Sequence, residues 1–344
     1  MLTLVPGELG GSESATRELL RALASGGTLP YRVFLPPSAP DAGEGLPSEV
    51  IGEYRRARTI PGRLAAMGAA AVRPGPLRRR LSGATAVHFP LTIRIPPVAA
   101  PSAITLHDVQ HLDLPQLFSR GERAFRALAY HRSARSARLV IVPSAFVASR
   151  ASERLGLAPD KLRVIHHGID HDRFSPGAGE REPFLLYPAR RWPHKNHERL
   201  FEAFALLRHD RPDLKLVLTG GGHGGPAPAG VEVRGNVPAA ELVSLYRRAS
   251  ALVFPSLYEG FGQPPLEAMA CGCPVACSDA AALPEVCGDA ARYFSPADAH
   301  SIVAAVEDVL AEPAAWSARG LARASAFTWQ RSAALHEDVY RELL

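Results

Sequence analysis

A chain of 344 residues with 47% hydrophobic side chains can bury more core than one layer holds, so about two domains are expected. No run of about 18 apolar residues occurs, and MLTLVPGELGG has neither the basic segment nor the long apolar run of a secretion signal; neither a membrane span nor export is expected, and a cytoplasmic place is. The net charge of +5 and pI near 9.2 are only mildly basic, so no nucleic-acid partner is expected.

In chain order, apolar strand-like runs alternate with helical patterns. The runs are LTLV (2–5), YRVFL (31–35), AVHF (86–89), AITLH (103–107), RLVIVPS (138–144), LRVIHHG (162–168), PFLLYPA (183–189), LKLVLTG (214–220), VEVRG (231–235), ALVFPS (251–256) and CPVACSD (273–279). Between them lie segments such as SESATRELLRALAS, SAFVASRASERLG, HERLFEAFALLRHD and AHSIVAAVEDVLA, with apolar positions three and four apart. Such alternation predicts an α/β fold of parallel sheets covered by helices on both faces. The stretch SPGAGEREP (175–183) replaces apolar pattern with glycine, proline and charge, and divides the chain nearly in half. Two Rossmann-like doubly wound domains facing across a cleft are expected, residues 1–175 and 176–328, with residues 329–344 crossing back to the first. Ligands then sit on loops at the carboxyl ends of the strands.

After the first run, Gly10 and Gly11 precede Ser12 and a helix. Amides there suit a phosphate, and a plain turn with Ser12 as N-cap is the alternative. Between residues 51 and 140 arginines dominate, among them Arg55, Arg56, Arg58, Arg63, Arg73, Arg120, Arg123, Arg126, Arg132, Arg135 and Arg138. An anionic partner, including an anionic membrane surface, and a solvated cationic face both account for them. His107 and Asp108 end a strand, where the imidazole can hydrogen-bond a sugar hydroxyl or take a proton; His107 and His111 lack the glutamate of a zinc helix.

PARRWPHKN (188–196) carries Arg190, Arg191, His194 and Lys195 before a helix. Two cations five residues apart across a proline turn can clamp two phosphates, with a solvated loop as the alternative. The stretch Gly220 to Gly225 satisfies G-x-G-x-x-G literally, but PAPAG follows and cannot open a helix, so it reads as a turn and a nicotinamide enzyme is disfavoured. In YEGFGQPPLEAMACGCPVACSD (258–279), Glu259 lies among glycines whose amides can meet an anion. Pro264 is expected to start a helix with Glu267 in its first turn, able to reach two vicinal hydroxyls. Cys271, Cys273, Cys277 and Cys287 match no zinc pattern and read as reduced.

These residues resemble the family-4 retaining glycosyltransferases of GT-B fold. Glu259 to Glu267 looks like their E-x7-E motif, continued by Ala268-Met269-Ala270-Cys271-Gly272 and Pro274-Val275. The Gly10-Gly11 loop, His107-Asp108, VPSAFVAS, VIHHGIDHDRF, Arg190 with Lys195-Asn196, and AFTW follow in the family's order. The resemblance implies that Glu267 holds donor ribose and that Glu259, with the Phe261 and Gly262 backbone, holds the donor sugar. Arg190 and Lys195 then neutralise the diphosphate leaving group in place of a metal, and His107 faces the sugar. Gly10, Gly11, Gly235, Val237 and Leu266 complete the expected donor-binding set. No metal or cofactor is expected; Asp170-His171-Asp172 spells D-x-D but lies in an interdomain segment. The implied reaction moves a sugar from a nucleotide diphosphate sugar, most often a uridine one, to a hydroxyl acceptor. An antibiotic oligosaccharide or other specialised metabolite is the expected acceptor class. Lipopolysaccharide or glycolipid transfer, a GT-B sugar-nucleotide epimerase and a non-catalytic sugar-nucleotide-binding module are the alternatives. Residues 36–85 depart most from the family, where acceptors bind.

Overall fold

The computed structural model describes residues 1–7, 10–54, 60–72 and 74–344. The arginines expected at 55, 56, 58 and 73 lie outside these residues, as does the side chain of Arg63. The chain forms two compact units, residues 1–168 with 329–344, and residues 169–328. The division falls ahead of SPGAGEREP because Ile169 donates its N–H to Phe327 and bridges Thr328. Phe174 packs edge-on against Tyr246, and Arg247 donates to Ser175, so residues 169–175 are tied to the second unit.

The first unit carries a parallel pair, β1 (Val33–Leu35) and β2 (Ser48–Val50). It also carries a parallel four-stranded sheet in the order β3 (Val87–Phe89), β4 (Ser102–Thr105), β5 (Leu139–Val142), β6 (Leu162–Val164). Every residue of β4 and β5 is buried, as expected of strands covered on both faces. The helix Gly11–Gly26 turns Leu19, Leu20 and Leu23 inward, three and four apart. Gly10 is its N-cap at φ 55°, so Ser12 is not the cap; it lies in the first turn and its carbonyl accepts from Thr16 Oγ1.

Residues 2–5 do not form the expected strand. Leu4 donates to the Met1 carbonyl in a turn and the Met1 ammonium donates to Phe34 O at 2.9 Å, although Leu2 and Leu4 are still buried as their apolarity requires. A cavity of about 590 Å³ separates the edges of β1 and β3, lined by Tyr31, Phe34, Val87, Phe89 and Leu343. The strand β2 escaped the apolar pattern because Ser48, Glu49 and Val50 are exposed or half-exposed. The helix Trp329–Leu343 belongs to this unit and is anchored by buried Glu337, which accepts from Thr28 N, Thr28 Oγ1, Leu29 N, Tyr31 Oη and Arg341.

The second unit is one six-stranded parallel sheet. Its strands are β7 (Glu182–Pro188), β8 (Lys215–Thr219), β9 (Val231–Gly235), β10 (Ala249–Phe254), β11 (Val275–Ser278) and β12 (Arg292–Phe294), in the order β12-β11-β10-β7-β8-β9. β12 is a further strand that apolar patterning missed, because Arg292 is exposed and Tyr293 half-exposed at the sheet edge. Strands run outward in both directions from the β7/β10 pair, so the order reverses there. The loops that follow β7 and β10 flank the crevice where ligands bind in open α/β sheets.

Candidate functional site

Two loops of the second unit meet at this switch point. Residues 189–196 leave β7 and are held from both sides. The Leu257 N–H donates to His194 O at 2.8 Å, and Asn196, in the left-handed region at φ 57°, donates its side-chain amide to Pro255 O and Pro296 O. The glycine-rich turn supports the other side: a Cβ on Gly220, at φ 101°, would lie 2.8 Å from Arg190 N. Arg191 N–H donates to Gly221 O and His223 faces Ala189 O at 3.1 Å. Gly220 to Gly225 is thus a turn, as expected, and its glycines allow the backbone to pack beneath the arginine loop. Gly235 ends β9 at φ 63° and accepts from Gly220 N–H at 2.7 Å; Val237 is half-buried in the connection that follows.

Lys195 ends a 3-10 turn, Pro193–Lys195, and its ammonium lies 2.5 Å from Glu259 Oε1. The side chains are only 13% and 14% exposed. The same Oε1 accepts from the hydroxyl of Ser256 at 2.6 Å, and Ser256 is itself fully buried and fixed by Ser278, which donates to its carbonyl. The Tyr187 hydroxyl donates to Lys195 O at 2.5 Å, and burial, then the nearby Glu259 charge, raises this phenol well above its ordinary pKa. The Arg190 guanidinium sits 5.7 Å from the Trp192 ring.

Past Glu259, Gly262 caps the helix Gln263–Ala270 at φ 109°, and a Cβ there would meet Leu283 at 2.7 Å, so only glycine fits. Pro264 and Pro265 follow the first helical residue and bring no N–H. Amides available to an anion at this end are therefore confined to the residues up to Gln263. Glu267 lies beyond the first turn, contrary to expectation, because the helix begins at Gln263. There it makes a specific contact: Tyr246, fully buried, donates its hydroxyl to Glu267 Oε2 at 3.0 Å. Phe261 packs edge-on against Phe327, so its backbone is what a ligand could meet. Leu266 is fully buried.

In the first unit, His107 follows β4 and its Nε2 lies 2.8 Å from Pro90 O. A carbonyl only accepts, so Nε2 carries the proton; burial holds the ring's pKa below its ordinary value, leaving Nδ1 as an acceptor. His111 instead meets His131 Nε2 to Nε2 at 3.0 Å, on partners separate from those of His107. Asp170 of the D-x-D sequence pairs with Arg173 at 2.9 Å and accepts the N–H groups of Asp172 and Arg173, which accounts for it structurally. Among the described residues, no group of three or more metal-ligating side chains converges. All four cysteines are buried and free, with Cys271 and Cys273 pushed up to about 12 by burial. Of the arginine series, Arg120, Arg123, Arg132, Arg135 and Arg138 are exposed, whereas Arg126 is half-buried against Phe118 and Tyr130 and 3.6 Å from Asp108.

Sequence reading placed Lys195 and Glu259 in separate roles, and the structure joins them in one ion pair. Ser256 and Tyr246 were missed. Ser256 ends a strand-like run and Tyr246 sits in an amphipathic helix, so nothing in their local pattern marks a polar duty.

Residues 9–173 match the family described as Glycosyltransferase Family 4, and residues 168–323 match Glycosyl transferases group 1. The O-antigen chain mannosyltransferase B of Escherichia coli is 30% identical over 266 residues, covering 70% of each chain. A D-inositol 3-phosphate glycosyltransferase of Streptomyces scabiei is 29% identical over 64% of this chain, which spans 57% of that relative's length. Among solved structures, sucrose-phosphate synthase from Thermosynechococcus elongatus superposes with a TM-score of 0.78 at 21% identity, over 97% of this chain and 94% of that one. Anabaena HepE, solved with UDP and glucose, gives 0.71 at 16% identity over 99% and 97%. The two matches run in succession along both units and the mannosyltransferase alignment reaches into each of them, so the chain is a glycosyltransferase belonging to the family-4, group-1 type of GT-B fold.

Proposed function

We propose that this glycosyltransferase moves a sugar from a uridine diphosphate sugar to a hydroxyl acceptor with retention of anomeric configuration, without a metal ion. The observation that carries the reading is the buried Lys195–Glu259 pair at the β7/β10 switch point, 2.5 Å apart and beside the Arg190 loop. Charge taken out of water is costly unless it is paired or meets a ligand. In this reading Lys195 and Arg190 meet the diphosphate, Glu259 meets the sugar, and Glu267, held by Tyr246, meets the ribose. The sugar C1–O bond to the diphosphate breaks as the acceptor oxygen bonds C1 on the same face, and the acceptor proton passes to the departing phosphate oxygen. Negative charge grows on the diphosphate during this step, and fixed cations lower the barrier most where charge develops. His107 Nδ1 and the Gly10 and Gly11 amides are proposed to serve the sugar and phosphate respectively, each on its own chemistry. HepE, with UDP and glucose bound, supports a uridine donor.

The proposed acceptor is an antibiotic oligosaccharide intermediate, of the kind the avilamycin pathway builds. The second reading is an O-antigen chain, after the name of the Escherichia coli relative. We place the reaction in the cytoplasm, since four buried free cysteines suit a reducing compartment. The exposed arginines of residues 120–138 are proposed to rest on an anionic membrane face; co-sedimentation with anionic vesicles that weakens with salt is expected, and its absence rejects that contact. The transfer assay itself uses a panel of UDP- and GDP-sugars with both acceptor classes, in chelator, followed by NMR of the product. A retained anomeric centre and a rate unchanged by chelation are expected. An inverted centre, or activity that requires a divalent cation, contradicts the mechanism.

A further inference from the structure

The ion pair between Lys195 and Glu259 has a consequence for which ligands the site retains. Lys195 Nζ lies 2.5 Å from Glu259 Oε1, both side chains are nearly buried, and Ser256 fixes the same oxygen from the other side at 2.6 Å. The lysine is therefore already neutralised, and a diphosphate can take it only by displacing a carboxylate held beside it. Among the described residues, no group hydrogen-bonds Glu259 Oε2, so sugar hydroxyls can bind it without breaking a contact.

Resting on the donor assignment made above, we propose that Glu259 competes with the diphosphate for Lys195 and so sets the preference of the site for nucleotide sugar over nucleoside diphosphate. An intact donor takes the cation from Glu259 but returns hydroxyl hydrogen bonds to it. A bare nucleoside diphosphate takes the cation and returns nothing, leaving a carboxylate in poor solvent contact with only the Ser256 hydroxyl. Once the sugar has left, closure of Glu259 onto Lys195 drives the diphosphate out. A purely structural pair would hold the two loops together, and its loss would weaken every ligand alike.

The test is calorimetric titration of UDP and GDP, and of the matching nucleotide sugars without acceptor, into the wild-type protein and Glu259→Gln. Glutamine keeps the shape and removes the competing charge. The proposal expects nucleoside diphosphate to bind about tenfold tighter in Glu259→Gln, while nucleotide sugar is unchanged or weaker, so that the preference collapses. Nucleoside diphosphate affinity that is unchanged or reduced overturns the competition while leaving the donor assignment standing. A wild-type protein that binds neither UDP, GDP nor their sugars overturns both. Should Glu259→Gln melt well below the wild type, Glu259→Ala read by the same ratio decides in its place.

Discussion

Both units bury titratable groups, in different settings. In the second, a lysine and a carboxylate are withdrawn from water side by side at the point where the strand order reverses. In the first, burial keeps titratable rings neutral: His88 is held well below its ordinary pKa, and His111 and His336 are lowered to about 4, each mainly by desolvation. Its arginines at 120, 123, 132, 135 and 138 stay exposed. Paired charge withdrawn from water is costly to assemble and contributes little to stability, so its retention where the strand order reverses points to a ligand. Exposed cations cost little and carry correspondingly less information.

This contrast can be broken at its strongest point first. Lys195→Met removes the cation proposed to meet the developing phosphate charge and leaves Glu259 without its partner; in protein still folded at the assay temperature, kcat/KM is expected to fall by about 10³-fold, and a loss below about tenfold would put the charge elsewhere. Glu267→Ala comes next, raising KM for the donor by about 10- to 100-fold with a smaller effect on kcat, as steady-state kinetics would show. Tyr246→Phe deletes only the hydroxyl that orients Glu267 and is expected to raise the same KM about fivefold; an equal effect on kcat would assign it a different role.

The first unit supplies the control, a buried carboxylate with a structural duty. Burial alone would raise the pKa of Glu337, but hydrogen bonds from Tyr31, Thr28 and Leu29 hold it down to about 2, below an ordinary 4.5. The folded value is the lower one, so this stabilisation is fully present above about pH 4.5 and is lost as pH falls towards 2. Glu337→Ala is expected to lower stability by about 3 kcal/mol at pH 7 in denaturant titration, and the acid-dependent part of the wild-type curve should shrink with it.

Legibility in the sequence followed the same divide. The alternation of apolar runs announced α/β parallel sheets, and most runs became strands, because a strand buried on both faces must be apolar throughout. The short strands β2 and β12 were illegible since Ser48 and Arg292 are exposed and Glu49 and Tyr293 half-exposed. The run at residues 2–5 misled because burial of Leu2 and Leu4 needs apolar side chains whether or not the backbone is extended. At the candidate site, Gly262 was readable as a backbone constraint and the structure adds its cause, the close approach of Leu283. The position of Glu267 was misread by assuming that Pro264 opens the helix; Gly262, in the left-handed region, starts it one residue earlier. Contacts between residues distant in sequence, Lys195 with Glu259 and Tyr246 with Glu267, are set by sheet order, which no local pattern carries.

The central claim is that the second unit holds a nucleotide diphosphate sugar through fixed cations in place of a metal. Titration of UDP and GDP into the wild-type protein and Lys195→Met, both in chelator, tests it most directly. Saturable binding by the wild type that falls at least about tenfold in Lys195→Met is the predicted result. Equal affinity in the two proteins, or binding that appears only when a divalent cation is restored, would contradict it.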